Sequence, residues 1–203
     1  RDLLRSRGLG DVYKRQDIDS LITSRRTVYP SQFLKGDIPD ESILQLLENA
    51  NMAPTHKMTQ PWIFKVYKNL QKSVLADSMV DAIKKNNPTD SRLDFKTKKI
   101  YDKCNMSNSI IGIFMKRSTT VSIPEWEEIA SVAMAVQNIW LTCAAKQIGC
   151  YWSSPKFTKH MDSFFDLSSD ERCLGFMYLG KFNHNSLPFK QRTSIKSKIE
   201  WLV

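Results

Sequence analysis

The chain has 203 residues, of which 41% are hydrophobic and 25% are charged, and its formal net charge is +9 at pH 7. This composition is too apolar for a disordered protein, and the chain is long enough to form a hydrophobic core without stabilising disulfide bonds or metal ions. With only 7 glycines and 8 prolines, collagen-like and low-complexity classes are excluded. The four cysteines form no C-x-x-C pair and no secretory signal is recognisable, so we expect a reduced, cytoplasmic protein.

Residues 1–16 form a basic leader, RDLLRSRGLGDVYKRQ, which holds five basic and two acidic residues and therefore +3 of the net charge. The leader has no initiator methionine and resembles translated library-adapter sequence. We interpret it as foreign and place the domain at residues 17–203. The alternative is a natural basic arm.

Hydrophobic spacing and punctuating residues predict the elements in chain order. Helices are expected over 17–24 and 39–52, a strand over 62–67, a helical stretch over 70–103 broken at 86–88, a strand over 110–115, a helix over 124–147, a strand or turn at 151–152, a buried strand over 173–179 and a polar tail over 187–203. The 124–147 helix is apolar almost all round, so we expect it in the core rather than across a membrane. Short strands, irregular alternation and the lack of repeats indicate an α+β fold.

Several familiar motifs are absent or accidental. The G-x-x-x-x-G-K match at 175–181 is followed by Phe182, where a phosphate loop needs Ser or Thr to hold magnesium, so we interpret it as a strand. No G-x-G-x-x-G or G-x-S-x-G is found. His56, His160 and His184 are too scattered to indicate a metal site, and we expect none.

A lysine-rich stretch within 84–103 carries much of the remaining positive charge. We interpret it as a solvated face; a nucleic-acid patch is the alternative, supported by net charge alone. Whether this stretch covers a site as a lid is left open. Its lysines are Lys84, Lys85, Lys96, Lys98, Lys99 and Lys103.

Two short segments carry candidate chemistry. Arg25-Arg26-Thr27 offers two guanidinium forks and a hydroxyl within one turn, which suits a phosphate monoester, although adjacent arginines are also common on surfaces. His56 lies in the compact segment 53–62, between a predicted helix and a predicted strand, where an ordinary loop histidine is the alternative.

Four features in order resemble the FMN-dependent nitroreductase family, in particular its small single-domain NAD(P)H branch. They are Arg25-Arg26-Thr27, the A-P-x-H-K-x-x-Q-P-W segment at 53–62, the long helix leading to G-x-x-W at 149–152, and G-F-M-Y-L-G at 175–180. The resemblance covers 17–203. It implies a three-layer sandwich, with a central, mostly antiparallel sheet flanked by helices, in an intertwined homodimer with FMN at the interface.

The resemblance also implies roles for particular residues. Arg25, Arg26, Thr27 and Arg192 would hold the FMN phosphate and ribityl chain, His56 would reach the flavin from the facing subunit, and Trp152, Ser153 and Ser154 would line the isoalloxazine. The nicotinamide nucleotide would meet Thr142, Cys143, Ala144, Ala145, Lys146 and Gln147. Lys57 is the candidate for an electrostatic role near the reduced flavin.

The implied activity is a ping-pong oxidoreduction, in which NADH or NADPH reduces the flavin and a nitroaromatic or similar small acceptor oxidises it. No protein nucleophile is required, because the cofactor carries the chemistry. Alternatives are a specialised flavoprotein of the same fold, of dehalogenase or flavin-fragmenting type, and a non-catalytic flavin binder. Tyr29, Met52 and Met58 depart from the family pattern, which leaves the acceptor open. No nucleic-acid or membrane partner is expected.

Overall fold

The computed structural model describes residues 18–184 and 191–202. The interpretation of 1–16 as a leader therefore lies outside the described residues. The helices are α1 (Ile18–Ser24), α2 (Asp40–Asn51), α3 (Leu70–Asn86), α4 (Leu93–Met106), α5 (Glu125–Ala145) and α6 (Asp162–Phe165). The strands are β1 (Phe33–Leu34), β2 (Trp62–Lys68), β3 (Ser109–Lys116), β4 (Gly149–Ser153) and β5 (Glu171–Phe182).

The helices and strands expected from the sequence are present, and their local causes can be named. In α2, Asp40 and Glu41 lie in the first turn, where acidic side chains favour the helix dipole, and Ile43, Leu46 and Ala50 form its buried stripe. The expected break after residue 86 is confirmed, since α3 ends at Asn86 and α4 begins at Leu93. The two-residue strand β1 and the short helix α6 were not predicted.

All strand pairings are antiparallel. β5 is the centre of the sheet: it pairs with β3 on one edge and with β4 and β1 on the other, and β2 extends the sheet beyond β3. The segment 175–180, which resembles a phosphate loop in sequence, lies within β5. The expectation that it is a strand is confirmed.

A β-bulge in β5 lies beside the end of β4. Ile113 pairs with Gly175 and Phe114 with Cys173, which leaves Leu174 as the extra residue of β5. Gly175 has φ of +123°, and a Cβ there would lie 2.3 Å from the carbonyl oxygen of Ser153. Only glycine permits this close approach without strain.

Side chains that alternate along the strands pack into two hydrophobic cores, one on each face of the sheet. Ile111, Ile113 and Met115 of β3 join Met177 and Leu179 in a core covered by α2 and α5. On the opposite face, Ile110 and Phe114 join Phe176 and Tyr178 in a core covered by α3 and α4. The predicted three-layer sandwich is therefore observed within one chain.

Helix α5 is less completely buried than its sequence predicts. Val132, Ala135 and Ile139 are fully buried against the sheet, but Trp126 and Met134 on another side are 67% and 38% exposed. Among the described helices, α5 alone has the length and composition of a membrane span, as a core helix can. The exposed apolar side of α5 corrects the expectation that the whole helix lies in the core.

All four cysteines are buried and unpaired. Burial raises the pKa of Cys104 and of Cys173 to about 12, which suppresses the reactive thiolate form. These thiols are part of the packing rather than candidates for nucleophilic chemistry.

Candidate functional site

A cavity of about 800 Å³ lies where the end of α1 meets the second half of α5 and the C-terminal tail. We call it the arginine cavity. It is lined by Ile22, Thr23, Arg25, Arg26, Thr27, Gln137, Trp140 and Arg192. Three of the predicted cofactor residues and the more remote Arg192 are thus brought to one place.

The charge in this cavity is uncompensated. Within 18–184 and 191–202, no carboxylate forms a salt bridge with Arg25, Arg26 or Arg192. Burial lowers the pKa of Arg25, and the positive charges of Arg192 and Arg26 lower it further. Guanidinium groups that repel one another at a desolvated position favour an anionic ligand, because the ligand would supply the missing negative charge.

Local contacts hold the arginines in position. Arg26 donates from Nη1 to the carbonyl oxygens of Thr23, at 2.6 Å, and Arg25, at 3.0 Å, and so caps the C-terminal turn of α1. Arg25 stacks over the Trp140 ring at 5.0 Å from its centroid. The buried indole Nε1 of Trp140 finds no acceptor among the described residues, so it is free to donate to a ligand.

His56 begins a strained loop at the other end of α5. Lys57, Met58 and Gln60 have φ of +48°, +55° and +44°, a conformation that non-glycine residues adopt at a cost. Thr55 supports the loop, since its Oγ1 accepts from the Gln60 amide at 3.2 Å. The segment singled out for its motif is therefore also the most strained segment described.

The imidazole of His56 has a carboxylate partner. Its Nδ1 contacts Oε2 of Glu127 in the first turn of α5, and the His56 side chain is 50% exposed. Glu127 can accept the Nδ1 proton, which leaves Nε2 to face another molecule. Sequence reasoning missed Glu127, although its place in the acidic first turn of the helix after Pro124 was recognised.

His56 and the arginine cavity are not brought together within one chain. Glu127, the partner of His56, precedes Gln137 of the cavity by ten residues of α5, which corresponds to about 15 Å along a helix. Lys57 is exposed beside His56 and equally remote from the arginines. A site that uses both groups from one chain would have to span this distance.

Trp152, Ser153 and Ser154 lie at the end of β4. Trp152 donates from Nε1 to the carbonyl oxygen of Leu174 at 3.3 Å and packs on the α5 side of the sheet. The backbone of Ser153 packs closely against Gly175, and the next residue, Ser154, is exposed. The predicted isoalloxazine segment is thus a rigid strand end.

The segment 142–147 forms the end of α5 and the turn after it. Thr142 accepts from Nδ2 of Asn49 at 2.9 Å, and Cys143 is fully buried in the core, where burial raises its pKa well above the ordinary value. The side chain of Cys143 therefore offers no surface to a nucleotide. The exposed members of the segment are Ala145, Lys146 and Gln147, and Ala144 is partly exposed.

Four residues of the arginine cavity were not predicted from the sequence: Ile22 and Thr23 of α1, and Gln137 and Trp140 of α5. Gln137 and Trp140 lie about one helical turn apart, a spacing visible in the sequence but not distinguishable there from core packing. Among the described residues, no group of three or more His, Cys, Asp and Glu side chains is placed to hold a metal ion.

Most of the chain is similar to one family of known proteins. The model of the nitroreductase family matches residues 22–181. YfhC of Bacillus subtilis, provisionally named an NAD(P)H nitroreductase, is 25% identical over 192 residues, which cover 92% of this chain and 95% of YfhC. The 5,6-dimethylbenzimidazole synthase of Rhodospirillum rubrum is 24% identical over 187 residues, covering 87% of each chain.

The solved structures extend the likeness to the fold. The FMN-dependent nitroreductase NfnB from Mycobacterium smegmatis, in complex with NADPH, superposes with a TM-score of 0.72. Its sequence is 15% identical, and the match covers 91% of this chain and 97% of NfnB. At this identity the likeness concerns the arrangement of helices and strands.

Proposed function

We propose that this chain, which belongs to the nitroreductase family, is an FMN-dependent oxidoreductase that uses NADH or NADPH to reduce nitroaromatic or similar small acceptors. When bound, FMN supplies the hydride chemistry, and the protein supplies position and electrostatics. The observation that carries the proposal is the arginine cavity, whose charge and geometry suit the phosphate of a flavin nucleotide.

The residues of the arginine cavity fit that phosphate. Arg25 and Arg192 supply charge from two separate segments, and Arg26 is held by α1 beside them. A charge-assisted hydrogen bond contributes about 1.5–3 kcal/mol, so two or three such bonds can retain a dianion. The orphan indole N–H of Trp140 adds a donor that an oxygen of the ligand would satisfy.

The separation of His56 from the arginines supports a homodimer with shared sites. In this arrangement Arg25 would come from one subunit and His56 from the other, because one chain keeps them apart. Apolar side chains beside these groups are exposed in the single chain and would be covered by the partner. They include Leu44, Met52, Trp126 and Met134, and on the tail Trp201 and Leu202.

The His56 loop would meet the flavin ring rather than its phosphate. Glu127 fixes the imidazole through Nδ1, so that Nε2 faces outward. Lys57, next in the strained loop, would place a positive charge where the reduced flavin carries its negative charge. Trp152, Ser153 and Ser154 would contact the same ring, and the exposed part of 142–147 the nicotinamide nucleotide.

A second candidate function is the oxidative breakdown of the flavin itself. The observation that favours it is the likeness to 5,6-dimethylbenzimidazole synthase over 87% of this chain. Both functions would use the same arginine cavity. They differ in whether the flavin survives turnover.

The purified full chain, incubated with FMN, tests the proposal. We expect flavin absorbance to remain with the protein after desalting, anaerobic bleaching by NADH or NADPH, and recovery of the absorbance on addition of a nitroaromatic acceptor, with FMN released intact on denaturation. A protein that does not retain FMN contradicts the proposal. Loss of FMN in proportion to turnover supports the second candidate, and retention without bleaching indicates a non-catalytic flavin binder.

The homodimer is tested by sedimentation of the FMN-loaded protein. We expect twice the chain mass of 23.5 kDa. FMN retained by a species of 23.5 kDa contradicts the shared site. Trp126→Ala and Met134→Ala should weaken association, whereas Phe95→Ala, which removes an equally exposed aromatic from α4, should not.

A further inference from the structure

A second cavity, of about 720 Å³, lies on the opposite face of the sheet between α3, α4 and the 3-10 helix Lys156–His160. We call it the lysine cavity. Its basic residues are Lys96, Lys99, Lys103, Lys156, Lys159 and His160. We propose that it binds an organic molecule bearing two or more phosphate groups.

The cations of this cavity come from two segments distant in sequence. Lys96, Lys99 and Lys103 recur at helical spacing and so share one face of α4. Lys156 and Lys159 approach from the 3-10 helix that follows β4. Convergence of two basic segments on one concavity is not expected of a lysine stretch that is merely solvated.

Most of this charge has no counter-charge. None of the twelve residues lining the lysine cavity is acidic. Among the described residues, Lys96 is the one cavity lysine that contacts a carboxylate, that of Asp90. Lys103 is instead placed over an aromatic ring, with Nζ 5.1 Å from the centroid of Tyr151. This contact with the ring does not neutralise the ammonium group.

The floor of the cavity is apolar. Ile83 and Ile100 are buried beneath it, and Phe157 and Pro155 form part of the wall. Pockets for small organic ligands have volumes of about 300–1,000 Å³ and combine such apolar surface with a few polar groups. A ring lying on the floor with phosphates reaching the ammonium groups satisfies both parts of the lining.

Two phosphates fit better than one because the cations are spread. Lys96 and Lys103 lie seven residues apart on α4, which separates their backbones by about 10 Å. Lysine ammonium groups act as mobile point charges and need no fixed fork geometry in the ligand. The proposal is independent of the proposed oxidoreductase activity, since it concerns binding alone.

The probe is adenosine 2′,5′-bisphosphate, titrated calorimetrically into the full chain at 150 mM salt with FMN in excess. At this ionic strength charges separated by more than about 8 Å are largely screened, so bulk attraction contributes little. The test variant is Lys99→Gln/Lys156→Gln/Lys159→Gln. The matched control is Lys35→Gln/Lys84→Gln/Lys98→Gln, which removes the same charge from exposed positions outside the cavity.

We expect the test variant to bind the probe at least about tenfold more weakly, because charge-assisted bonds are lost, and the control to bind as the parent does. Parent-like affinity in the test variant, or equal loss in the control, overturns the proposal. Pyrophosphate has no ring for the apolar floor and should bind more weakly than the nucleotide. Equal affinity for the two would contradict the organic part of the proposed ligand.

Discussion

The two cavities are both basic, yet they are built from different cations. In the arginine cavity, the carbonyl oxygens of Thr23 and Arg25 hold the guanidinium group of Arg26, and the Trp140 ring holds that of Arg25, so the directions of these two groups are constrained. In the lysine cavity, flexible ammonium groups surround an apolar floor. Fixed forks suit one phosphate of defined geometry, whereas point charges tolerate several. Two cavities that are both positively charged are therefore suited to two different kinds of phosphate ligand.

Strand β4 connects the two regions. Near its start, the carbonyl oxygen of Cys150 accepts from the amide of Val28, which follows Arg25-Arg26-Thr27, at 3.1 Å. Beyond its end, Pro155 lines the lysine cavity. A shift of β4 should thus disturb both cavities.

The largest effect is expected from Gly175→Ala. The added Cβ would meet the Ser153 carbonyl at 2.3 Å, at a φ of +123°, so β4 must shift at a cost of about 3 kcal/mol. For a chain of this size, a Tm lower by roughly 6–12 °C follows, measurable by thermal unfolding. Because Ser153 and Ser154 are the proposed flavin contacts and Pro155 lines the lysine cavity, affinity for FMN and for the probe should both fall. Ser122→Ala, at an exposed position outside both cavities, is the control, and an unchanged Tm for Gly175→Ala would contradict the close approach.

The next largest effect distinguishes a guanidinium group from an ammonium group at position 25. Arg25→Ala should raise the Kd for FMN about 30-fold, since one charge-assisted bond of about 2 kcal/mol is lost. Arg25→Lys should recover only part of the affinity, because it keeps the charge but not the fork. Quenching of FMN fluorescence measures both, with the exposed Arg92→Ala as control.

In the lysine cavity, by contrast, exchanging one cation for the other should not matter. We expect Lys99→Arg to bind adenosine 2′,5′-bisphosphate as well as the parent does. If Arg25→Lys retained full FMN affinity, fixed geometry would not distinguish the arginine cavity. If Lys99→Arg lost affinity, the lysine cavity would require a defined geometry after all.

A smaller, stabilising effect should result from removing cations that repel one another. Lys99→Gln/Lys156→Gln/Lys159→Gln should raise stability by about 0.5–1 kcal/mol, or roughly 1–4 °C in Tm, in the absence of ligand. The control with Lys35, Lys84 and Lys98 replaced should change Tm less, because those lysines do not share a cavity. An equal rise in both would mean that net charge, and not the cavity, is responsible.

The sequence predicted the elements of this fold well because their causes are local. The broken helix at 86–88, the helical spacing in α2 and the apolar run in β3 all depend on neighbours within a few residues. β1 has only two residues, too few for any periodicity, and its pairing with β5 depends on contacts made by the whole sheet. The core position expected for α5 holds for one side of the helix, but the exposed side with Trp126 and Met134 was not predicted, because composition does not indicate which side faces the sheet.

The candidate site was predictable where a motif exists. Arg25-Arg26-Thr27, His56 and Arg192 were proposed this way, and the structure brings Arg192 to the same cavity as Arg25, Arg26 and Thr27. Glu127 was missed because its contact with His56 joins segments 71 residues apart. The lysine cavity was missed for the same reason: the stretch at 84–103 was interpreted as a solvated face, and nothing local connects it to Lys156 and Lys159.

The smallest effect concerns Asp90, the carboxylate that pairs with Lys96 of the lysine cavity. The hydrogen bond from Lys96, together with that from the backbone amide of Arg92, lowers the pKa of Asp90. Because the folded-state pKa lies below the unfolded value of about 3.9, this stabilisation is fully present at neutral pH and is lost only below about pH 4, as the pH falls through the lowered folded-state pKa. Asp90→Asn should therefore lower the urea midpoint slightly at pH 7, and this difference should shrink as the pH is lowered below about 4. It should also free Lys96 and tighten binding of adenosine 2′,5′-bisphosphate at pH 7. Affinity for FMN should not change, since no described carboxylate pairs with the arginines on the other face, and a change there would mean that the two cavities are coupled.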